Sequence, residues 1–351
     1  MKKKYLILEN GDIFEGVAFG ADRDSIGELV FTTGTCGYIE TLTDPSYFGQ
    51  IVMQTFPQIG NYGIIPQDFE GKPALFGYVV REYCDTPSNF RSAGDIDSFL
   101  KENGIPGIYG VDTRAITRII RESGVMNAII TSDPDTDISA LSSYSVKNAL
   151  GAVSTGVYKT FSPEKKLYNV ALIDYGAKKN IVRELTKRGC EVIEYPYDVS
   201  AESVLEYKPD GIMLSNGPGD PAENTYQIEQ IKKLAGRLPI FGICLGHQLL
   251  ALALGCETEK MHYGHRGGNQ PAKQFESGRT FITSQNHGYA VKSESVKKGV
   301  ISFVNANDGS CEGIDYPEYK AFSVQFHPEA CSGPHDTGFL FDKFIDLMKK
   351  N

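Results

Sequence analysis

A chain of 351 residues is long enough for two domains with separate cores, and its 41% apolar and 23% charged residues are ordinary for a globular protein. A formal net charge of −9, with no basic patch interleaved with aromatics, argues against a nucleic-acid or anionic-membrane surface and leaves a small molecule or a protein as the expected partner. Seven cysteines without a CxxC pair argue against a disulfide framework, no segment is apolar for long enough to cross a membrane, and "MKKKYLILENGD" develops no signal-peptide core, so a cytoplasmic protein with reduced thiols is expected.

Residues 1–150 are rich in glycine and poor in sustained helical spacing. Short strand-like runs occur in "ELVFTTGT", "GQIVMQTF" and "ALFGYVV". The stretch "DTRAITRIIRESG" predicts one helix, with Ile116, Ile119 and Ile120 on one face, Asp112 as cap and Gly124 as stop. A mixed α/β domain is expected here, followed by a small-residue, polar linker over 151–168.

From residue 169 the pattern becomes regular. "NVALIDYG", "AKKNIVRELTKRG" and "CEVIEYPYD" read as strand, helix and strand; "GIMLS", "TYQIEQIKKLAG", "LPIFGIC" and "HQLLALALG" continue the alternation. This predicts an α/β domain over 169–351 built on an open, mostly parallel sheet with helices on both faces. Shorter strands ("TFITS", "GVISFVNA", "KAFSVQF") and a last helix, "TGFLFDKFIDLMKK", complete it.

The segment "FGICLGHQ" places Cys244 between Gly242 and Gly246 where a strand passes into a helix. That is the pattern of a nucleophile elbow, and the helix N-terminus would favour a thiolate there; read alone, it is equally a tight structural turn around a small buried residue. A thiolate needs a general acid, and "SVQFHPEA" supplies His327 at a strand end with Glu329 two residues on, on the same side of an extended chain. In isolation that too is an ordinary strand end. Taken together with the elbow, the two point to a Cys-His-Glu arrangement. His247, three residues past Cys244, lacks a carboxylate nearby and reads as a capping or packing residue. His262 and His265, with Cys256 upstream, fit no zinc spacing and read as loop residues, so no metal is expected.

Two more stretches bear on a ligand. "SNGPGDP", Ser215 to Pro221, follows a strand at the carboxyl edge of the sheet, and its glycines let main-chain N–H groups approach an anion or an oxyanion. "SQNHGYAV" offers Asn286 and Gly288, though by itself it reads as a turn. No G-x-x-x-x-G-K-[ST] loop occurs, so the chain shows no nucleotide-triphosphate site of that type.

In this order, "SNGPGDP", "GICLGHQ", "NHGYAV" and "QFHPEA" resemble the class I (triad) glutamine amidotransferase domain. The earlier stretches "FTTGTCGYIETLTDPSYFGQIV", "PQIGNYG" and "GVDTRAITRIIRESG", and the later "GHRGGNQPAK", resemble the small (glutaminase) subunits of carbamoyl-phosphate synthase, so the similarity spans the chain. The resemblance implies Cys244 as nucleophile, with His327 and Glu329 completing the triad. It implies L-glutamine contacts at Gly217, Gly219, Leu245, Gln248, Asn286, Gly288 and Tyr289, and a further one at Gly34.

Two of these positions depart from the family. Gly34 stands where a serine is usual, which removes a hydroxyl, and Tyr289 stands where phenylalanine is more frequent. The resemblance also implies no cofactor in this chain and a large-subunit partner that carries ATP and Mg2+ and makes carbamoyl phosphate from bicarbonate and the released ammonia, with residues 1–150 serving for docking. Two alternatives remain open at this point: a stand-alone γ-glutamyl Cys-His hydrolase, and a catalytically weakened regulatory homologue.

Overall fold

The computed structural model describes residues 2–330 and 333–350; Cys331 lies outside the described residues. The chain divides into two units, Met1–Ala149 and Leu150–Asn351.

In the first unit the strands are β1 (Lys3–Leu8), β2 (Ile13–Gly20), β3 (Ser25–Thr32), β4 (Gln50–Gln54), β5 (Gln58–Ile59), β6 (Gly77–Val80), β7 (Glu82–Tyr83), β8 (Pro106–Tyr109) and β9 (Met126–Thr131). Seven of them close into a barrel in the order β1-β2-β8-β6-β4-β3-β9, while β5 and β7 form a separate short pair. Pairing is parallel along β3-β4-β6-β8 and antiparallel elsewhere in the barrel. The expected mixed domain is thus organised around a closed sheet, which no local pattern announces.

Three helices accompany the barrel: α1 (Tyr38–Leu42), α2 (Ile96–Glu102) and α3 (Thr113–Ser123). Helix α3 forms as its sequence predicts, with the Asp112 carboxylate accepting from the N–H groups of Arg114 and Ala115, Ile116 and Ile120 buried, and Gly124 ending it at φ +89°.

The second unit opens within a short helix, α4 (Ala149–Val153), followed by strand β10 (Lys159–Phe161). The stretch expected as a linker therefore contains secondary structure, and β10 pairs antiparallel with β12 (Cys190–Pro196) at the sheet edge. The remaining elements are β11 (Tyr168–Asp174), β13 (Gly211–Leu214), β14 (Ile240–Ile243), β15 (Thr258–Gln274), β16 (Thr280–Val291), β17 (Val300–Asn305), β18 (Cys311–Tyr316) and β19 (Ala321–Val324), with helices α5 (Lys179–Lys187), α6 (Ala201–Glu206), α7 (Thr225–Leu234), α8 (Leu245–Ala253) and α9 (Phe339–Lys349).

These strands form one ten-stranded sheet in the order β10-β12-β11-β13-β14-β19-β18-β17-β15-β16. Parallel pairing is confined to β12, β11, β13, β14 and β19, and the rest of the sheet is antiparallel. The expectation of a mostly parallel sheet is corrected accordingly: after α8 the consecutive strands β15–β16, β17–β18 and β18–β19 pair directly, without helical crossovers, and strands linked in that way run antiparallel.

Alternation along the central strands builds two cores. Ala171, Ile173, Ile212, Leu214 and Ile240 pack with Val204, Ile231, Leu234, Leu249 and Leu250 of α6, α7 and α8. Their neighbours Val170, Leu172, Met213, Phe241 and Ile243 pack on the other face with Ile181 and Leu185 of α5 and Phe341, Phe344 and Met348 of α9. Helices on both faces leave the carboxyl ends of β11, β13, β14 and β19 as the place where loops converge, which is where open α/β sheets hold ligands.

Candidate active site

Strand β14 ends at Ile243 and helix α8 begins at Leu245, so a single residue, Cys244, makes the turn between them. Its backbone is held at φ +53°, ψ −104°, a conformation that a residue with a side chain rarely adopts. The Cys244 N–H donates to the Val324 carbonyl at 2.9 Å, and the Gly246 N–H to the Ser215 carbonyl at 3.0 Å, which pins the turn to the ends of β19 and β13. The two flanking glycines are required by space. A Cβ on Gly242 would lie 2.7 Å from the Gly246 carbonyl oxygen, and one on Gly246 would lie 2.3 Å from the carbonyl oxygen of Leu214. The elbow expected from G-x-C-x-G is therefore present, with the Cys244 thiol donating to the Asn286 carbonyl at 3.6 Å.

His327 and Glu329 follow β19 and are both buried, with Nδ1 of His327 2.7 Å from Oε1 of Glu329. Burial works against the charged imidazole, as does nearby Lys178, but the Glu329 carboxylate and the Cys244 sulfur outweigh them and raise the His327 pKa to about 9. The Nε2 atom is buried and makes no hydrogen bond among the described residues, which leaves it available to a reacting group. Main-chain bonds fix the segment: the His327 N–H donates to the Ser284 carbonyl of β16 at 2.9 Å, and the Asn180 side-chain amide donates to the Glu329 carbonyl.

The other residues of the second unit expected to contact the ligand lie on α8, on the loop after β13 and on β16. Leu245 opens α8, so the helix itself cannot satisfy its N–H. Gly217 packs so closely that an added Cβ would meet the Tyr175 carbonyl oxygen at 2.3 Å and Leu245 Cδ2 at 2.9 Å, and Gly219 turns the same loop at φ +90°. Gln248, on α8, donates from Nε2 to the Tyr289 carbonyl at 2.8 Å and to Gln325 Oε1 at 2.9 Å. Asn286, Gly288 and Tyr289 lie on β16, a strand and not the turn that "NHGYAV" suggests, because it pairs with β15 through His265↔His287 and Arg266↔Asn286. Gly34 belongs to the first unit, after β3, and its expected contact rests on the resemblance alone.

His247 is fully buried, bonds Ser323 Oγ through Nδ1 at 2.8 Å, and has its pKa lowered by burial to about 3. It is a neutral packing residue, as expected, though not a cap. His262 and His265 are in strand β15 and not in a loop. His265, His287 and Glu312 bring one ligand-type atom each within 4.8 Å of one another. Both histidines, however, have their nitrogens engaged: His265 with Asp308 and Glu312, His287 with the Tyr289 carbonyl and Gln285. The group is a hydrogen-bonded cluster. Two residues that contribute to the site were not singled out in the sequence, Lys178 and Asn180; the signal was a buried polar pair opening a helix beside apolar Ile181 and Val182.

Residues 171–347 match the family described as glutamine amidotransferase class-I, and residues 6–130 match the carbamoyl-phosphate synthase small chain, CPSase domain. The chain is 49% identical to a carbamoyl phosphate synthase small chain of Oceanobacillus iheyensis, covering 99% of this chain and 97% of that one. It belongs to the carbamoyl-phosphate synthase small-chain family. A small chain of Clostridium perfringens is 50% identical, covering 98% of this chain and 99% of that one, and the pyrimidine-specific small chain of Bacillus subtilis is 49% identical, covering 99% and 96%. Within that family the chain is the glutaminase subunit, and its second unit is the class I glutamine amidotransferase domain.

Proposed function

We propose that Cys244 is the nucleophile of glutamine hydrolysis, with His327 as its acid–base partner and Glu329 holding the imidazole in one tautomer. The observation that carries this reading is the single-residue turn at φ +53°, which no packing role requires of a cysteine, beside a buried histidine bonded at 2.7 Å to a carboxylate.

In this reading the Cys244 thiolate attacks the side-chain amide carbon of L-glutamine. The oxyanion that forms accepts from the N–H groups of Leu245 and Gly219, each such donor being worth about 3 kcal/mol. His327, protonated by virtue of Glu329, gives its proton to the amide nitrogen, which leaves as ammonia. Water then adds to the glutamyl thioester with His327 taking its proton, glutamate departs, and the thiolate is restored. Gly217, Gln248, Asn286, Gly288 and Tyr289 position the substrate. Because both Nε2 hydrogens of Gln248 are used within the protein, its Oε1 is the group it offers.

This half-reaction needs no cofactor. Free ammonia is protonated in neutral water and loses its nucleophilicity, so its use calls for a partner that receives it directly. We assign that role to a large carbamoyl-phosphate synthase subunit in the cytoplasm, carrying ATP and Mg2+ and activating bicarbonate, with the first unit contributing to docking.

The test is Cys244→Ser in the complex with the large subunit. Glutamine-dependent carbamoyl phosphate synthesis is expected to fall about a thousandfold or more, with ammonia-dependent synthesis retained. Unchanged glutamine-dependent synthesis would remove Cys244 from the mechanism, and equal loss of both activities would assign it to folding or assembly.

A further inference from the structure

Behind strand β16, on the side away from the Asn286 side chain, lies a buried ionic cluster that the triad chemistry does not use. We propose that His265, paired with Glu312, is a positioning residue for glutamine binding and acts through His287. The proposal rests on the reading that Asn286, Gly288 and Tyr289 contact glutamine.

His265 and His287 are directly opposed across β15 and β16, and their rings meet edge to face, with centroids 5.1 Å apart at 86°. His287 follows Asn286 in an extended strand, so its side chain leaves on the opposite face from that of Asn286. Its Nδ1 donates to the Tyr289 carbonyl at 2.8 Å, the same oxygen that accepts from Gln248 of α8. Its Nε2 lies 3.0 Å from Gln285 Oε1. The ring thus sits between the Tyr289 main chain and the Gln285 side chain, on either side of Asn286, whose carbonyl is also the acceptor of the Cys244 thiol. Any rotation of His287 shifts the strand that faces both substrate and nucleophile.

His265 is what fixes that ring. Its Nε2 donates to Asp308 Oδ2 at 2.9 Å and its Nδ1 faces Glu312 Oε1 at 3.4 Å, while Asn305 Nδ2 donates to the same Glu312 oxygen at 3.0 Å. Glu312 is fully buried, and a buried carboxylate is costly unless paired and hydrogen-bonded. Burial disfavours the His265 cation, but Asp308 and Glu312 outweigh it and raise its pKa to about 9. The charges that act on His287 are those of His265, Arg266 and His327. Burial first, and then these cations, disfavour the His287 cation, and the Nδ1–H donates to the Tyr289 carbonyl. The His265–Glu312 pair therefore holds the orientation of the ring behind the glutamine contacts through the edge-to-face contact of the two histidines. Glu312 ties this to the triad segment, since its own carbonyl accepts the N–H of Gln325 at 2.9 Å, two residues before His327.

The experiment uses the full chain in complex with the large subunit and compares His265→Gln, Glu312→Gln, the double variant and Asn286→Ala in glutamine- and ammonia-dependent synthesis. His265→Gln leaves Glu312 buried and unpaired; KM for glutamine is expected to rise about tenfold or more, with kcat within about twofold and the ammonia-dependent rate unchanged. Glu312→Gln is expected to raise KM less, and the double variant, which lacks the His265 ring but leaves no buried charge, to keep most of the rise seen in His265→Gln; a return to the parental KM would assign the effect to the unpaired charge and not to His265. In parallel, spectra of labelled histidine are expected to show the ring signals of His287 shifted in His265→Gln. Should His265→Gln fail to fold, Glu312→Gln carries the test through the same KM and ring-signal readouts. Unchanged KM in both single variants, or a loss confined to stability with the His287 ring signals parental, would overturn the proposal. If Asn286→Ala also leaves KM unchanged, it is the assignment of β16 to glutamine that fails; if Asn286→Ala raises KM and the other variants do not, only the role of His265 fails.

Discussion

Nδ1 of His327 lies 2.7 Å from Oε1 of Glu329, with only Pro328 between the two residues. That pairing predicts a pH dependence. The His327 pKa is raised from 6.5 to about 9, so the stability contributed by the charged pair is complete below 6.5 and is lost as pH rises through about 9. The alkaline limb of kcat/KM for glutamine is expected near the same pH. In Glu329→Gln the raising charge is gone, and the limb should move to lower pH while kcat drops about a hundredfold or more. A pH–rate series on the two proteins checks it, and an unshifted limb would detach Glu329 from His327.

Space at the elbow gives a second prediction. Gly246→Ala drives a methyl to 2.3 Å from the Leu214 carbonyl oxygen, a rigid strand atom that cannot yield as a flexible side chain could. Overpacking of this kind costs about 1–3 kcal/mol, and the strain here falls on the turn that carries Cys244. Denaturant unfolding should register the loss, and glutaminase activity should fall further than stability does. Gly255→Ala, where an added Cβ meets nothing within 4 Å, is the control for the glycine change itself, its φ of +92° bringing strain without a clash.

The elbow and the His327–Glu329 pair were legible because both are local patterns: a strand, G-x-C-x-G and a helix in one case, and H-P-E at a strand end in the other. Helix α3 was legible for the same reason, since Asp112, the isoleucine spacing and Gly124 each act within a turn or two. What escaped the sequence is set by distant partners. The barrel depends on β1 meeting β9, as in Leu6↔Ile130, a pairing that neither strand encodes alone. His265 looked like a loop residue because "GHRGGNQP" is rich in glycine, yet β15 is held extended by pairing to β16 on one side and β17 on the other. Glu312 gave no signal either, for a lone carboxylate in a strand acquires meaning only once His265 is placed against it.

His247 leads to a third prediction, on acid stability. Buried and neutral, with its pKa lowered by burial to about 3, it is protonated in the unfolded chain near 6.5 and resists protonation in the folded one. The unfolded state therefore binds the extra proton between those values, and stability falls as pH drops from 6.5 toward 3, by about 1.4 kcal/mol per pH unit for one proton. His287, also lowered by burial, adds to the same slope. His247→Asn removes one of the two protons, so the slope of unfolding free energy against pH should become shallower. The shape of the pH–rate profile for glutamine should stay as it is, because the ring bonds Ser323 and not the triad.

Asn180 supplies the last prediction. Its side-chain amide, near the start of α5, donates to the main-chain carbonyl of Glu329, and so ties the backbone that follows β19 to the helix between β11 and β12. Removing the donor leaves a buried carbonyl unsatisfied, a cost of about 1–3 kcal/mol, and frees the Glu329 backbone to shift relative to His327. Asn180→Ala is expected to lower glutamine-dependent kcat about tenfold, with ammonia-dependent synthesis retained in the complex. Asn180→Asp separates bonding from volume, since it keeps the shape of the side chain but turns an oxygen where the N–H was. A loss in Asn180→Asp at least as large as in Asn180→Ala identifies the hydrogen bond as the cause, whereas parental kcat in Asn180→Asp would show that Asn180 only fills space beneath Glu329.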